Sequence, residues 1–338
     1  MHVIELPTPA LVVDTLALNR NLDTMTAALP GARLRPHVKA HKCTELARRQ
    51  ASRGHHGFTG ATPRELLGLA RAGLTDDLLL ANESVDDDRL RALAACGARV
   101  TVAVDSEATV DAAARNGIRE VLIDVNVGIP RCGVRADDAG RLADLARARG
   151  LTVRGTMGYE GHAVLVPDSV ERSRLTDESM TILTRAHEAV GGPVLSGGGT
   201  GTYSANTVAT EIQAGSYALM DTAYAKLDIP FELALAVVAT VIHANPKWCV
   251  ADCGLKALGM DHGNPSISGA AVMFCSDEHV TFTPDSPLRV GDRVLVRPAH
   301  VDPTVAYHDA MHLADGPGLD ASLIDCWAVD LRGWSASG

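Results

Sequence analysis

The sequence predicts a parallel (β/α)8 barrel followed by a β-rich domain, and two observations carry that prediction. From about residue 34 to residue 221, short apolar runs rich in β-branched residues alternate with longer segments rich in Ala, Leu and Arg. After Asp221 the helical segments nearly vanish, and strand-like runs follow one another between Gly, Pro and Asp turns. Strand–helix alternation means a parallel sheet with helical crossovers. Eight such units over about 200 residues fit a closed barrel. A doubly wound open sheet is the alternative, because a count of units does not separate the two.

The elements follow in order. An apolar run over 10–14 precedes a helical segment over 15–29. The barrel strands are expected at 34–40, 57–62, 77–82, 100–105, 121–126, 153–159, 194–198 and 217–221, with helices at 63–72, 87–95, 107–116, 136–149 and 168–190. Pro63 suits a first helical turn, and Asp86-Asp87-Asp88 reads as a helix N-terminus, where carboxylates meet the dipole. The strands of the second domain are expected at 231–244, 247–252, 269–275, 279–283, 293–297 and 322–329. The run at 10–14 is expected to pair there, because a closed eight-stranded barrel has no place for it. The expected domains are therefore a barrel over 15–230 and a β-rich domain of 1–14 plus 231–338.

Composition narrows the function. The 338 residues are 46% hydrophobic, enough to build one large core and a smaller one. Thirty-one basic against 41 acidic residues give a net charge of −10, which argues against a nucleic-acid surface. No stretch approaches the roughly 20 apolar residues of a membrane helix, and Met1 to Pro9 has no basic-then-apolar leader pattern. The seven cysteines are scattered without a CxxC pair, so free thiols in a reducing compartment, the cytoplasm, are expected. Cys249 and Cys253 lie four apart, but no second pair completes a zinc knuckle.

Five motifs could carry chemistry. Lys39 sits in Arg35-Pro36-His37-Val38-Lys39-Ala40-His41-Lys42, at the end of the first expected strand. In a barrel the active site lies at the strand C-terminal ends, and a lysine there can lose its proton and form an imine with an aldehyde cofactor. Ser196-Gly197-Gly198-Gly199-Thr200-Gly201-Thr202 offers closely approachable backbone N–H groups for a phosphate, and Gly215-Ser216-Tyr217 could complete the cradle. Arg131 lies in a Gly/Pro loop over 124–133 and could hydrogen-bond an acidic phenolic oxygen. Gly158-Tyr159-Glu160-Gly161-His162 offers an aromatic plane, a carboxylate and an imidazole. Finally, His300 and Asp302 are two apart; in an extended segment both would face one way and converge on a divalent cation. His308-Asp309 is a competing pair that continues away from the strand. The plain alternatives remain open at this point: a surface lysine, a flexible glycine loop, a surface arginine and a turn.

Together PHVKAHK, DVNVGIPRCGV, SGGGTGT and PAHVDPTV resemble the metal-activated, pyridoxal-phosphate-dependent D-threonine aldolase family. That family shares the alanine-racemase-like fold, fold type III, with D-serine dehydratases and 3-hydroxy-D-aspartate aldolases, and the resemblance runs from Pro7 to about Trp334. It implies that Lys39 holds the cofactor, Arg131 contacts the phenolic oxygen and Tyr159 lies beside the ring. Ser196, Gly199, Thr200, Gly201, Ser216 and Tyr217 would hold the phosphate, and His300 and Asp302 the metal. The related dehydratases tend to carry cysteine where Asp302 stands. A carboxylate there favours Mn²⁺ or Mg²⁺, with Zn²⁺ possible. The resemblance also implies a homodimer with active sites near its interface. One departure concerns the base for the substrate hydroxyl. The family places a histidine several residues after the tyrosine; here Leu165 occupies that place, and His162, three residues after Tyr159, is the candidate. The implied reaction is cleavage of a β-hydroxy-D-amino acid to glycine and an aldehyde. Dehydration, racemisation, or a non-catalytic cofactor-binding barrel are the alternatives.

Overall fold

A computed structural model describes residues 1–335; residues 336–338, the end of the expected second domain, lie outside the described residues. The chain divides into two units, one built from Met1–Thr24, Ala40–Cys43 and Ser216–Asp330, the other from Met25–Lys39, Thr44–Gly215 and the tail from Leu331. β1 (Ala10–Asp14) and α1 (Thr15–Ala28) open the chain.

The second of these units is the parallel barrel. After α2 (Thr44–Ala51), strands and helices alternate: β2 (Gly57–Gly60), α3 (Pro63–Arg71), β3 (Asp77–Leu80), α4 (Asp87–Ala94), β4 (Val100–Val104) and α5 (Glu107–Arg115). Then come β5 (Glu120–Asp124), α6 (Ala139–Ala148), β6 (Thr152–Gly158), α7 (Ser169–Val190), β7 (Val194–Gly197) and β8 (Glu211–Ile212). The seven strands pair in sequence order. The segment 34–37 supplies the missing stave, since Leu34 bridges Ile212 on one side and His37 bridges Thr59 on the other. Arg35 donates its N–H to the Ile212 carbonyl at 2.9 Å, and Thr59 to that of Pro36 at 2.9 Å. Pro36 has no N–H of its own to add to the ladder, and Val38–Ala40 winds into a 3₁₀ turn.

Helix starts follow the local chemistry. Thr62 and Glu65 form a reciprocal capping box ahead of Pro63, and Asp86 caps α4 by accepting from Arg89 N–H at 3.1 Å. The barrel interior takes one apolar residue from each of five strands: Leu79, Ala103, Leu122, Met157 and Val194. The expected strand at 217–221 is not there. Ser216–Ala218 is a 3₁₀ turn, and the last barrel strand is β8. Tyr217 through Met220 are all buried, and a buried apolar run reads alike as strand or turn.

In the other unit β1 pairs antiparallel with β9 (Leu235–Ala244) and parallel with β15 (Ala310–Ala314). Between these lie β10 (Cys249–Ala251), β11 (Ser266–Ile267), β12 (Ala270–Cys275), β13 (Val280–Pro284), β14 (Arg293–Arg297) and α8 (Val301–Tyr307); β16 (Leu323–Ala328) follows. The strand order β10-β13-β12-β11-β14-β9, with β9 pairing back onto β10, closes a small barrel. β1 is buried along its length, as a strand flanked on both sides must be. Among the described residues no helix is long and apolar enough to cross a membrane.

Candidate active site

Three of the expected residues meet at strand C-terminal ends of the parallel barrel. Lys39, half-buried in its 3₁₀ turn, places Nζ 5.7 Å from the centroid of the Tyr159 ring. The Arg131 guanidinium lies 5.5 Å from the same centroid. Tyr159 follows β6, Arg131 follows β5 and Lys39 lies in the 3₁₀ turn after the stave at 34–37, so two turns aim two cations at one ring. Asn126 shapes the arginine loop, donating to Ile129 O at 2.9 Å and accepting from Gly128 N–H at 3.0 Å. His162 is exposed and lies against Gly128, where a Cβ would come within 2.7 Å of the imidazole Cε1.

Beside Arg131, Glu83, Asp105 and Cys132 bring one ligand-type atom each within 4.8 Å of one another. A hydrogen bond to Glu83, then burial, pushes the Cys132 thiol up to about 11. Burial and the Glu83 charge likewise hold the Asp124 carboxyl far above the usual carboxylate range.

The glycine-rich loop after β7 is organised by a residue whose role the sequence left open. Glu160 is fully buried and accepts from Gly198 N–H at 3.1 Å, Thr202 Oγ1 at 2.8 Å and Asn206 Nδ2 at 3.3 Å. Gly199 N–H is donated to Thr202 Oγ1 at 3.1 Å. A Cβ on Gly199 would meet Val164 at 3.2 Å and Tyr159 Cε2 at 3.3 Å, so a glycine keeps the wall beside the tyrosine flat. The polar stretch that follows, 200–205, is a run of turns. Ser196, expected in the cradle, spends its hydroxyl on Glu211 at 2.8 Å and accepts from Gln213 Nε2 at 2.8 Å. It ties β7 to β8.

Glu160→Ala is expected to lower stability by about 3 kcal/mol, since three donors lose their acceptor in a buried place. It should also weaken pyridoxal phosphate, the cofactor that the resemblance implies, at least about tenfold as the loop loosens. Thermal unfolding and a cofactor titration check the two effects separately.

In the other unit the His300–Asp302 pair is not extended. His300 is the N-cap of α8 and Asp302 lies in its first turn, with Pro303 following. Pro in a first turn is well tolerated, and the carboxylate suits the positive helix end. Asp221, fully buried, holds this segment by accepting from Val301 N–H at 2.9 Å and Tyr224 N–H at 2.9 Å. Burial raises the Asp221 carboxyl above its ordinary range despite those bonds. Thr304 donates to His300 O at 2.7 Å and accepts from Gly259 N–H at 2.8 Å. Ser216, from the expected phosphate cradle, donates to Asp302 Oδ1 at 3.4 Å, so a cradle residue and a metal-type residue adjoin. Tyr217 is buried against Phe231, ring centroids 5.7 Å apart. The competing pair is otherwise engaged, because His308 Nε2 bonds Ala257 O at 3.0 Å. Asp261 bonds His300 Nδ1 at 2.8 Å. Asp221 and Asp261 escaped the sequence reading because both come from loops far from the motif in the chain.

Comparison with known proteins bears on the family and the fold. The family described as alanine racemase, N-terminal domain, matches residues 13–223, and a putative serine dehydratase domain matches residues 234–314. The 3-hydroxy-D-aspartate aldolase of Paracoccus denitrificans is 33% identical over 91% of this chain and 89% of its own. The D-threonine aldolase of an Arthrobacter species is 33% identical over 97% of this chain and 93% of its own. The crystal structure of D-threonine aldolase from Filomicrobium marinum superposes with a TM-score of 0.91 at 32% identity, covering 97% of this chain and 96% of that one. With its parallel barrel, its β-rich unit and the motifs at their ends, the chain belongs to the D-threonine aldolase family of alanine-racemase-like proteins.

Proposed function

We propose that the protein is a pyridoxal-phosphate- and divalent-metal-dependent aldolase that cleaves β-hydroxy-D-amino acids of the D-threonine kind to glycine and an aldehyde. The observation that carries the reading is the contact between Ser216 and Asp302, which ties a phosphate-side residue to a carboxylate of the metal pair. A racemase has no use for such a pair, and Asp302 is a carboxylate where the related dehydratases tend to carry cysteine.

The residues present fit the cofactor. Lys39 is an amine beside an aromatic ring, Arg131 a guanidinium that shares that ring, and Gly199 has no side chain to crowd the tyrosine. In this reading Lys39 holds the aldehyde carbon, Arg131 the phenolic oxygen, and Thr200, Gly201, Ser216 and Tyr217 the phosphate. Ser196 is left out because its hydroxyl is spent within the barrel wall. The bound cofactor supplies an electron sink for the carbon left behind by cleavage. An imidazole and a carboxylate suit Mn²⁺ or Mg²⁺, and such an ion on His300 and Asp302 supplies a Lewis acid for a hydroxyl.

The chain's own groups do the rest. His162, exposed beside Gly128, takes the proton of the substrate's β-hydroxyl at one ring nitrogen. Tyr159 lies beside the cofactor ring in this reading. In the cell the working form of this reading is a cytoplasmic homodimer; light scattering on the purified protein checks the dimer.

Incubation with D-threonine, pyridoxal phosphate and Mn²⁺ is expected to give equimolar glycine and acetaldehyde, whose atoms sum to those of the substrate. Chelation should abolish the activity, and so should His300→Ala. Ammonia with an oxo acid would instead establish a dehydratase and L-allothreonine, the Cα epimer of the substrate, a racemase; no turnover of D-threonine would overturn the reading for this substrate.

A further inference from the structure

The His300–Asp302 motif does not stand alone in its unit. The loop carrying Gly259, Asp261 and His262 is pinned against it. Gly259 forms an isolated antiparallel bridge with His300. A Cβ at Gly259 would fall 2.4 Å from Pro303 Cγ and 2.8 Å from His300 O, so the loop backbone lies directly on the motif. Thr304 ties the same two segments together through Gly259 N–H and His300 O. Two side chains are thereby delivered to the His300 ring. Asp261 reaches Nδ1 with both carboxylate oxygens, at 2.8 and 2.9 Å. His262 stacks on the ring face, centroids 3.9 Å apart and planes 13° from parallel.

We propose that Asp261 and His262 are positioning residues for a divalent ion: Asp261 keeps the proton on Nδ1 of His300, leaving Nε2 as the ligand atom, and His262 fixes the plane of the ring. The inference rests on the reading of His300 as a metal ligand and extends it to residues outside the HxD motif. Its physical basis is simple. A neutral imidazole has one proton for two nitrogens, and the bond made by one nitrogen decides which of them keeps a lone pair. Metal-bound imidazoles accordingly tend to donate their other N–H to a carboxylate.

A purely structural role fits the pair less well. The Asp261 side chain is 59% exposed, and an exposed carboxylate contact contributes little to stability. His262 has its Nδ1 buried with no hydrogen-bond partner, which is a cost. What this ring offers is its flat face, and the face meets His300.

The full chain, stripped of metal, is titrated with Mn²⁺ and free ion followed by electron paramagnetic resonance. Asp261→Ala should weaken Mn²⁺ binding about 10- to 100-fold. Asp261→Asn should lose less, because its amide oxygen still accepts from Nδ1–H. His262→Ala should fall between wild type and Asp261→Ala, and the metal-free melting temperature should stay level across the series. Unchanged affinity in Asp261→Ala would overturn the inference. So would an equal loss in the Asn and Ala variants, which would make Asp261 a direct ligand. If His300→Ala leaves Mn²⁺ affinity untouched, it is the metal reading itself that fails.

Discussion

Lys39→Ala is expected to yield a folded protein that no longer shows the visible absorption of a lysine-held pyridoxal phosphate and no longer turns over D-threonine. Lys39 lies half-buried in a short turn rather than in the core, so truncation to Cβ removes little buried apolar area. The other cation at the Tyr159 ring is no substitute. Arg131 shares the Tyr159 ring with Lys39, but a guanidinium does not give up its proton in a protein and cannot act as the nucleophile. For the same reason Lys39→Arg should be as inactive as the alanine variant, although it preserves the charge. The loss should exceed the roughly 10²–10⁴-fold that a single proton-transfer group supplies, because the amine also holds the cofactor. Absorption spectra, turnover and circular dichroism measured on one preparation separate the outcomes. A visible band that survives in Lys39→Ala would assign the cofactor to another amine.

Most of the barrel was legible because its signals are local. Each strand from 57–62 to 194–198 was placed within one or two residues of β2 to β7, since apolar β-branched runs and capped helices punctuate one another. The stave at 34–37 was visible as a strand, but its two partners, Ile212 and Thr59, are long-range pairings that no local pattern records. The short strands β8 and β11, two residues each, fall below any periodicity. The helix α8 was missed because a seven-residue helix led by His-Val-Asp-Pro looks like a turn. That miss mattered for the site. The HxD pair was expected to share one face of an extended segment, whereas its geometry comes from a capped helix end braced by Asp221. The site residues found in the sequence lie in motifs; those it passed over, Asp221 and Asp261, act across loops, and Glu160 revealed its role only through three partners on a later loop.

Arg35→Ala is expected to be the most damaging substitution away from the chemistry. Arg35 stands at the opposite end of the barrel from Lys39, among the first residues of the strands. Asp77 begins β3, Glu120 begins β5 and Glu211 begins β8, and with Arg154 and Arg99 they line a cavity of about 570 Å³ at that mouth. The Arg35 side chain, 5% exposed, donates to Glu211 at 2.8 Å and to the Asp77 carboxylate at 2.7 Å. Removing it takes the guanidinium from the buried Glu211 and one of two from Asp77, which keeps Arg154, a loss of about 3–5 kcal/mol. For a barrel of this size that lowers the melting temperature by on the order of 10 °C. Removing both members should cost less, so Arg35→Met combined with Glu211→Gln is expected to recover part of the loss. Acid titration supplies an independent check. Burial alone would raise the Asp77 carboxyl, but the hydrogen bond from Arg154 and the charge and hydrogen bond of Arg35 outweigh it and hold it well below the usual carboxylate range. A folded-state value lower than the unfolded one contributes stability that is fully present above about pH 4 and is lost as the pH falls toward the folded value. Arg35→Ala gives up part of that contribution at pH 7, where all of it counts, and little at pH 2, where most is already gone. Urea unfolding at the two pH values should therefore show a gap between wild type and variant that narrows in acid; a gap of constant size would mean that Arg35 acts through packing rather than charge.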